Sequence, residues 1–322
     1  MTKIKKLIAI VLTVVGAFAV PAQAVAVVGI DRPVHQGEAE WVGSIVQWDP
    51  KTGWESFCTG SLISPRVVLT AAHCIMNVSN QETWKVFFGE NIQDLSNGQA
   101  VNVIGGVYHT KYEVQQSYDI LDPITFEVIE SVTGYVSPGE SDLDSDIAVL
   151  LLEVPVIGIA PVKMGSNTTR SAPQWRVYGW GVTSTKNYTA NNILNTTSVA
   201  DATNEMSEMI SDPMSNMVAA YLEDEQGIVH STCFGDSGGP LVDGKGVLIG
   251  ITSFSFAEYC EESTPTVYTK VASYRSWITR ASTMITRRVE RKPGEPITKD
   301  MSLVIDSLGN SVYHPVLIIK TY

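Results

Sequence analysis

Short runs rich in β-branched and aromatic residues recur along the chain, and they constrain the fold more than any other feature of the sequence. Clusters of Gly, Pro, Asn and Asp separate these runs, as is typical of strands joined by turns. Recurring strands without helical patterns between them favour a sandwich or a barrel over a parallel α/β sheet. The predicted strands cover residues 43–48, 56–63, 66–73, 83–89, 146–153, 176–181, 246–254 and 266–271.

One helix is predicted late in the chain, over residues 272–285. Its apolar residues recur at helical spacing; they are Val271, Tyr274, Ile278, Ala281 and Ile285. The extension that follows, residues 287–322, opens with a charged, proline-containing linker over 287–296. The apolar residues after the linker are consistent with a terminal β-hairpin that turns near Gly309–Asn310.

The first residues have the three parts of a secretory signal peptide: lysines, an apolar run over 7–20, and small residues over 22–26. The apolar run is shorter than the roughly 20 residues that a membrane-spanning helix needs. We therefore expect residues 1–26 to be removed and the mature protein, without a transmembrane segment, to be secreted to an extracellular or periplasmic location. Cleavage after Ala24 or after Ala26 fits the pattern, and the signal looks bacterial.

Charge and cysteine content exclude several classes of function. The formal net charge of -12 argues against a nucleic-acid partner, because nothing would neutralise the phosphates. Four cysteines in an exported chain favour two disulfides over a metal site, and none of their spacings is C-x-x-C. We expect no metal and no cofactor. The sequence alone leaves three pairings open among Cys58, Cys74, Cys233 and Cys260.

Three short motifs supply the residue types that nucleophilic catalysis requires. His73 lies in TAAHC, Asp146 begins the apolar strand DIAVLLLE, and Ser237 lies in CFGDSGGP. Serine is a weak nucleophile at neutral pH, so it needs a base, and the base needs a group that fixes its tautomer. Each motif alone has a plainer reading, such as a turn for the glycine-rich stretch.

Together, TAAHC, DIAVLLL, GWG, GDSGGP and SF–TVYTKV resemble the trypsin/chymotrypsin family of serine endopeptidases, from about Val27 to Ile285. The resemblance implies an all-β fold of two six-stranded antiparallel β-barrels with a C-terminal helix, as a peptidase domain over residues 27–286. It also implies hydrolysis of protein or peptide substrates through an acyl-enzyme.

The resemblance assigns the chemical roles residue by residue. His73 is the general base and acid, Asp146 orients it, and Ser237 attacks the scissile carbonyl. The backbone N–H groups of Gly235 and Ser237 form the oxyanion hole. Asp236 pairs with the new N-terminal ammonium at Val27. The implied disulfides are Cys58–Cys74 and Cys233–Cys260.

The residues implied for the primary substrate pocket carry hydroxyl groups. Ser231 corresponds to its floor, Ser255 and Thr266 to its walls, and Thr232 and Ser253 complete it. Threonine at position 266 implies a shallow pocket, so we expect cleavage after small or medium uncharged residues.

Two alternatives remain open from the sequence. In the first, the chain is a non-catalytic secreted binding or adhesion protein on the same fold. In the second, its C-terminal extension docks on a surface or partner. The acidic insertion over residues 113–145 is read as a solvated surface loop, with a cleft rim that shapes substrate choice as the alternative.

Overall fold

The structure is a computed structural model. It describes residues 27–29, 32–76, 84–109, 112, 116–121, 128–134, 145–166, 174–185, 192–211, 213–289 and 317–321. The predicted signal peptide and the predicted hairpin turn near Gly309–Asn310 lie outside these residues, as does the linker from residue 290 onward.

Seventeen strands and three α-helices are described. The strands of the first half are β1 Arg32–Pro33, β2 Val42–Asp49, β3 Gly53–Ser64, β4 Val67–Thr70, β5 Lys85–Phe88, β6 Gln99–His109, β7 Gln116–Leu121, β8 Val128–Gly134 and β9 Ala148–Leu152. Those of the second half are β10 Trp175–Gly179, β11 Asn195–Asp201, β12 Met217–Glu223, β13 Val229–His230, β14 Pro240–Val242, β15 Leu248–Ser255, β16 Thr266–Lys270 and β17 Leu317–Thr321. The helices are α1 His73–Met76, α2 Thr203–Ile210 and α3 Val271–Val289.

Six strands close the first barrel in the order β2, β3, β4, β9, β6, β5 and back to β2, and every pairing is antiparallel. Its interior is filled by side chains that water does not reach, among them Leu62, Leu69 and Leu150. Closure removes the free strand edges that an open sheet would expose.

The second barrel closes in the order β10, β11, β12, β16, β15, β14 and back to β10, again antiparallel throughout. Val177, Leu241 and Tyr268 lie in its core and are fully buried. The prediction of two six-stranded antiparallel β-barrels with a C-terminal helix is therefore confirmed.

Helix α3 leaves the second barrel and packs against the first. Trp277, Ile278 and Ile285 belong to the same buried cluster as Leu150 of β9. Arg275 Nη1 donates to the Met164 carbonyl in the segment between the barrels. The helix runs to Val289, so residues 287–289 of the predicted linker are helical.

Two further strand pairings involve the first half of the chain. β7 and β8 pair antiparallel within the acidic insertion. β17 pairs in parallel with β6, with Leu317 opposite Gly105 and Thr321 opposite His109. The last described residues thus extend the sheet of the first barrel.

Candidate active site

The first barrel brings a histidine and an aspartate into contact. β4 ends at Thr70 and leads into α1, which begins at His73, while Asp146 lies two residues before β9. Because β4 and β9 pair antiparallel, with Thr70 opposite Ala148, both residues come to the same rim. His73 Nδ1 lies 2.7 Å from Asp146 Oδ2, and the His73 backbone N–H donates to Asp146 Oδ1 at 3.0 Å.

Asp146 is buried, and its hydrogen bonds explain how the fold tolerates a charge there. Ser253 Oγ of β15 donates to Oδ2 at 2.6 Å, so the second barrel contributes a third donor. The carboxylate is thereby held in one orientation. The sequence predicts Ser253 only as a pocket residue, so this second contact is one that sequence reasoning missed.

Opposing effects set the pKa of His73. Burial favours the neutral imidazole and lowers the pKa, whereas the negative charge of Asp146 and the hydrogen bond to it raise the pKa. The two contributions of Asp146 together exceed that of burial, so the pKa of His73 lies above its ordinary value of 6.5. The ring therefore holds its proton to a higher pH than a free imidazole does.

The second barrel supplies the serine, in the loop between β13 and β14. The Ser237 carbonyl accepts the N–H of Thr59 from β3 at 2.8 Å, which fixes this loop against the first barrel. His73, Gly235 and Ser237 line one groove of about 680 Å³ between the barrels. The structure thus brings the three residues of the predicted triad to one cleft.

The glycines around Ser237 are required by backbone geometry and by close packing. Gly235 has φ +96° and Gly238 has φ +77°, a region that side chains rarely adopt. A Cβ at Gly238 would lie 2.0 Å from Thr70 Oγ1, and one at Gly235 would lie 2.8 Å from the Gly181 Cα. Among the described residues, no acceptor takes the N–H of Gly235 or of Ser237.

The aspartate before the serine is fully buried, and the glycines of GWG make room for it. Asp236 Oδ1 accepts the Gly181 N–H at 2.8 Å, and Oδ2 accepts the Cys233 N–H at 2.8 Å. A Cβ at Gly179 would lie 1.8 Å from Asp236 Oδ1. Burial outweighs both hydrogen bonds and raises the pKa of Asp236 to about 7.

Val27 lies in the same region of the second barrel. It is fully buried in a cluster with Tyr268. Burial, together with the negative charge of Asp236, raises the pKa of the Tyr268 hydroxyl. Val28 and Ser231 exchange backbone hydrogen bonds at 3.1 and 3.2 Å. Backbone hydrogen bonds therefore fix Val28, the residue after Val27, against Ser231 of the predicted pocket.

All five predicted pocket residues line one cavity of about 250 Å³, beside Ser237. Thr266 Oγ1 lies 2.8 Å from Ser231 Oγ and 3.0 Å from Thr232 Oγ1. Ser253 and Ser255 follow along β15. Ser231, Thr232 and Thr266 are thus buried and hydrogen-bonded to one another through their hydroxyl groups, and Glu258 is the ionisable residue that lines the cavity.

The four cysteines form the pairs Cys58–Cys74 and Cys233–Cys260, as the resemblance implies. The first disulfide lies beside His73, and the second borders the pocket. Cys58, His73 and Cys74 are close enough together to suggest a metal site, but disulfide sulfurs are not the thiolates that metals bind.

Sequence reasoning missed two aromatic residues that line the groove and a threonine that fixes the loop before Ser237. Trp54 and Phe57 line the groove, and Thr59 Oγ1 donates to the Gly235 carbonyl at 2.9 Å. No motif pointed to these residues, because such contacts join segments far apart in the sequence.

A double β-barrel with an Asp–His pair and a serine in the intervening cleft defines a class of serine hydrolases. The Trypsin family model matches residues 28–278. The chain belongs to the trypsin family of serine endopeptidases, which act on protein or peptide substrates.

Individual relatives agree with this membership. The chain is 31% identical over 256 residues to Chymotrypsin-like elastase family member 1 of Macaca fascicularis, covering 76% of this chain and 86% of that one. It is 29% identical over 230 residues to Brachyurin of Leptuca pugilator, covering 69% and 86%. The solved structure of neuropsin, a serine protease of mouse brain, has a TM-score of 0.59 and 27% identity, covering 78% of this chain and 98% of that one.

These relatives are animal proteins, so they do not support the expectation of a bacterial source. Within the part of the chain that the structure describes, none of the helices combines the length and the apolar character needed to span a membrane.

Proposed function

We propose that this protein is a secreted serine endopeptidase that uses His73, Asp146 and Ser237 as its catalytic triad. The observation that carries the proposal is the contact between His73 and Asp146 in the groove that Ser237 also lines. In this proposal His73 takes the proton of the Ser237 hydroxyl as the oxygen attacks the scissile carbonyl. His73 then returns the proton to the leaving amine, and water hydrolyses the acyl-enzyme by the same route.

The backbone N–H groups of Gly235 and Ser237 are proposed to stabilise the oxyanion. Two observations support this assignment: the positive φ of Gly235, and the absence of a protein acceptor for either N–H among the described residues. Donors arranged in advance around developing negative charge contribute roughly 3–4 kcal/mol each in mutagenesis.

We infer a preference for cleavage after small or medium uncharged residues, such as Ala, Val or Leu. Ser231 at the floor offers a hydroxyl where a basic substrate residue would need a carboxylate. Thr266 lines the cavity and is hydrogen-bonded to Ser231, and in this proposal its side chain limits the depth of the pocket.

We propose that residues 1–26 are removed on export and that the peptidase domain begins at Val27. Burial of Val27 and the bridge between Val28 and Ser231 support an N-terminus seated beside Asp236. A free ammonium there would supply the positive charge that a buried carboxylate needs. In this proposal the domain ends near residue 286 and the extension over 287–322 follows it.

Covalent labelling of the secreted protein with an organophosphate tests the catalytic proposal. We expect labelling of Ser237 in the parent chain and none in Ser237→Ala, whose peptidase activity should fall by about 10⁴-fold or more. An unlabelled, inactive parent with intact folding would instead favour a binding protein on the same fold.

A further inference from the structure

The loop that follows GWG is tied to the wall of the pocket by a single carboxylate. Ser184 Oγ donates to Glu261 Oε1, and Thr185 Oγ1 donates to Glu261 Oε2 at 2.6 Å. Thr185 Oγ1 also accepts the Cys260 N–H at 3.2 Å. Two adjacent hydroxyls and two adjacent residues beside the disulfide therefore form a closed ring of hydrogen bonds.

Ionised glutamate is suited to this arrangement because it only accepts hydrogen bonds. Both hydroxyls can point their hydrogens at it, one to each oxygen. Hydrogen bonds to a charged acceptor are stronger than those between neutral groups. Glu261 is half-buried, so water competes with these bonds less than it does at an exposed site.

The same loop sets the direction of the proposed oxyanion donor. The Val182 N–H donates to the Phe234 carbonyl at 2.8 Å. That carbonyl shares its planar peptide group with the N–H of Gly235, and in a trans peptide the two bonds point in opposite directions. Holding the carbonyl toward Val182 therefore aims the Gly235 N–H away from the loop.

Gly181, one residue earlier, binds the other side of this turn through its hydrogen bond to Asp236. The chain from Gly181 to Thr185 is thus fixed at two ends. Gly181 and Val182 contact the oxyanion turn, and Ser184 and Thr185 contact Glu261. Val182 also packs in one cluster with Cys233 and Cys260, which joins the two contacts.

We propose that Glu261 is a positioning residue, which holds the loop 181–185 so that the peptide between Phe234 and Gly235 keeps its orientation. It touches neither the substrate nor the reacting atoms. The inference rests on the proposed function, since it assigns catalytic consequence to the orientation of the Gly235 N–H.

The test uses Glu261→Gln, which keeps the size of the side chain but turns one acceptor into a donor. We expect kcat/KM to fall about tenfold, an effect of the size of one charge-assisted hydrogen bond. Affinity for a peptide boronate, which forms a tetrahedral adduct with Ser237, should fall by a similar factor. Glu262→Gln on the same loop is the matched control and should leave both quantities unchanged.

Coupling is measured with Thr185→Val, which removes the hydroxyl and keeps the shape. If Glu261 acts through Thr185, the double variant should be little worse than either single variant. A purely structural role would lower the melting temperature of Glu261→Gln and leave kcat/KM and boronate affinity, per folded site, within twofold of the parent. That result overturns the proposal.

Amide hydrogen exchange separates this proposal from the catalytic one. Glu261→Gln should speed exchange of the Gly181 and Val182 amides about tenfold and leave that of Ile251 in β15 unchanged. The exchange measurement does not need an active enzyme. An inactive parent with this exchange pattern would refute the catalytic proposal alone, and unchanged exchange refutes the role of Glu261.

Discussion

If the N-terminal ammonium of Val27 pairs with the buried carboxylate of Asp236, as proposed, stability should depend on whether the chain begins at Val27. Val27 is joined to Ala26 by a peptide bond in the uncut chain, and burial then raises the pKa of Asp236 from its ordinary value of 3.8 to about 7. A pKa difference of about 3 corresponds to about 4 kcal/mol. The folded state holds the proton more tightly than the unfolded state, so in a capped chain the contribution of Asp236 to stability should be fully present below about pH 4.

As the pH rises from about 4 to about 7, the capped chain should lose this stability. In the proposed pairing, a chain that begins at Val27 has an ammonium beside the carboxylate, which should lower the pKa of Asp236 and remove most of the loss. The comparison uses chains that begin at Val25 and at Val27, both carrying Ser237→Ala to prevent self-digestion. Urea denaturation gives the free energy of unfolding at each pH.

Two variants serve as controls for this measurement. Asp236→Asn should abolish the pH-dependent difference between the two chains. Asp243→Asn should leave that difference unchanged, although Asp243 is also buried and also accepts two backbone N–H groups. Equal losses in the capped and mature chains would show that the N-terminal ammonium is not the partner of Asp236.

Three further outcomes follow from the site and the tail. Thr266→Gly should deepen the pocket and raise kcat/KM for cleavage after Phe relative to Ala by about tenfold; an unchanged ratio in a peptide library refutes the depth argument. Asp146→Asn should lower kcat by about 10⁴-fold and move the acid limb of the pH profile, which the raised pKa of His73 places above pH 6.5, to lower pH. Deletion of residues 290–322 should lower the melting temperature by a few degrees, because it removes the β17–β6 ladder. Unchanged stability with lost surface attachment would favour docking by the extension.

The sequence predicted several strands whose side chains are mostly apolar, such as β4 and β9, and it missed β11, whose buried side chains include three polar ones. β11 contains Asn195, Thr196 and Thr197, all fully buried. The two threonine hydroxyls are satisfied, as when Thr196 Oγ1 donates to the Val177 carbonyl at 2.8 Å and Thr197 Oγ1 to that of Gly29 at 2.7 Å. Threonine then packs as a β-branched residue, although its polarity hides the strand from a hydrophobic pattern. β6 was missed because Gly105 and Gly106 interrupt its pattern.

The site residues divide in the same way. Ser237 and His73 stand out in the sequence because short motifs surround residue types that few reactions can replace. The contacts that orient them join distant segments, as Ser253 joins Asp146 and Gly181 joins Asp236. No spacing along the chain reveals such pairs, because the two members meet only after both barrels have closed.

Each disulfide lies within one barrel, with Cys58–Cys74 in the first and Cys233–Cys260 in the second. The two barrels are therefore joined covalently only by the chain between them, while His73 lies on one and Ser237 on the other. Helix α3 follows the last strand of the second barrel and packs against the first barrel. There Tyr274 Oη lies 3.0 Å from Ser145 Oγ, next to Asp146 in the sequence. The rate of turnover should therefore depend on the relative position of the two barrels. Weakening the packing of α3 on the first barrel should slow the enzyme at temperatures at which both barrels are still folded. Chemical reduction of the disulfides should instead destabilise each barrel separately.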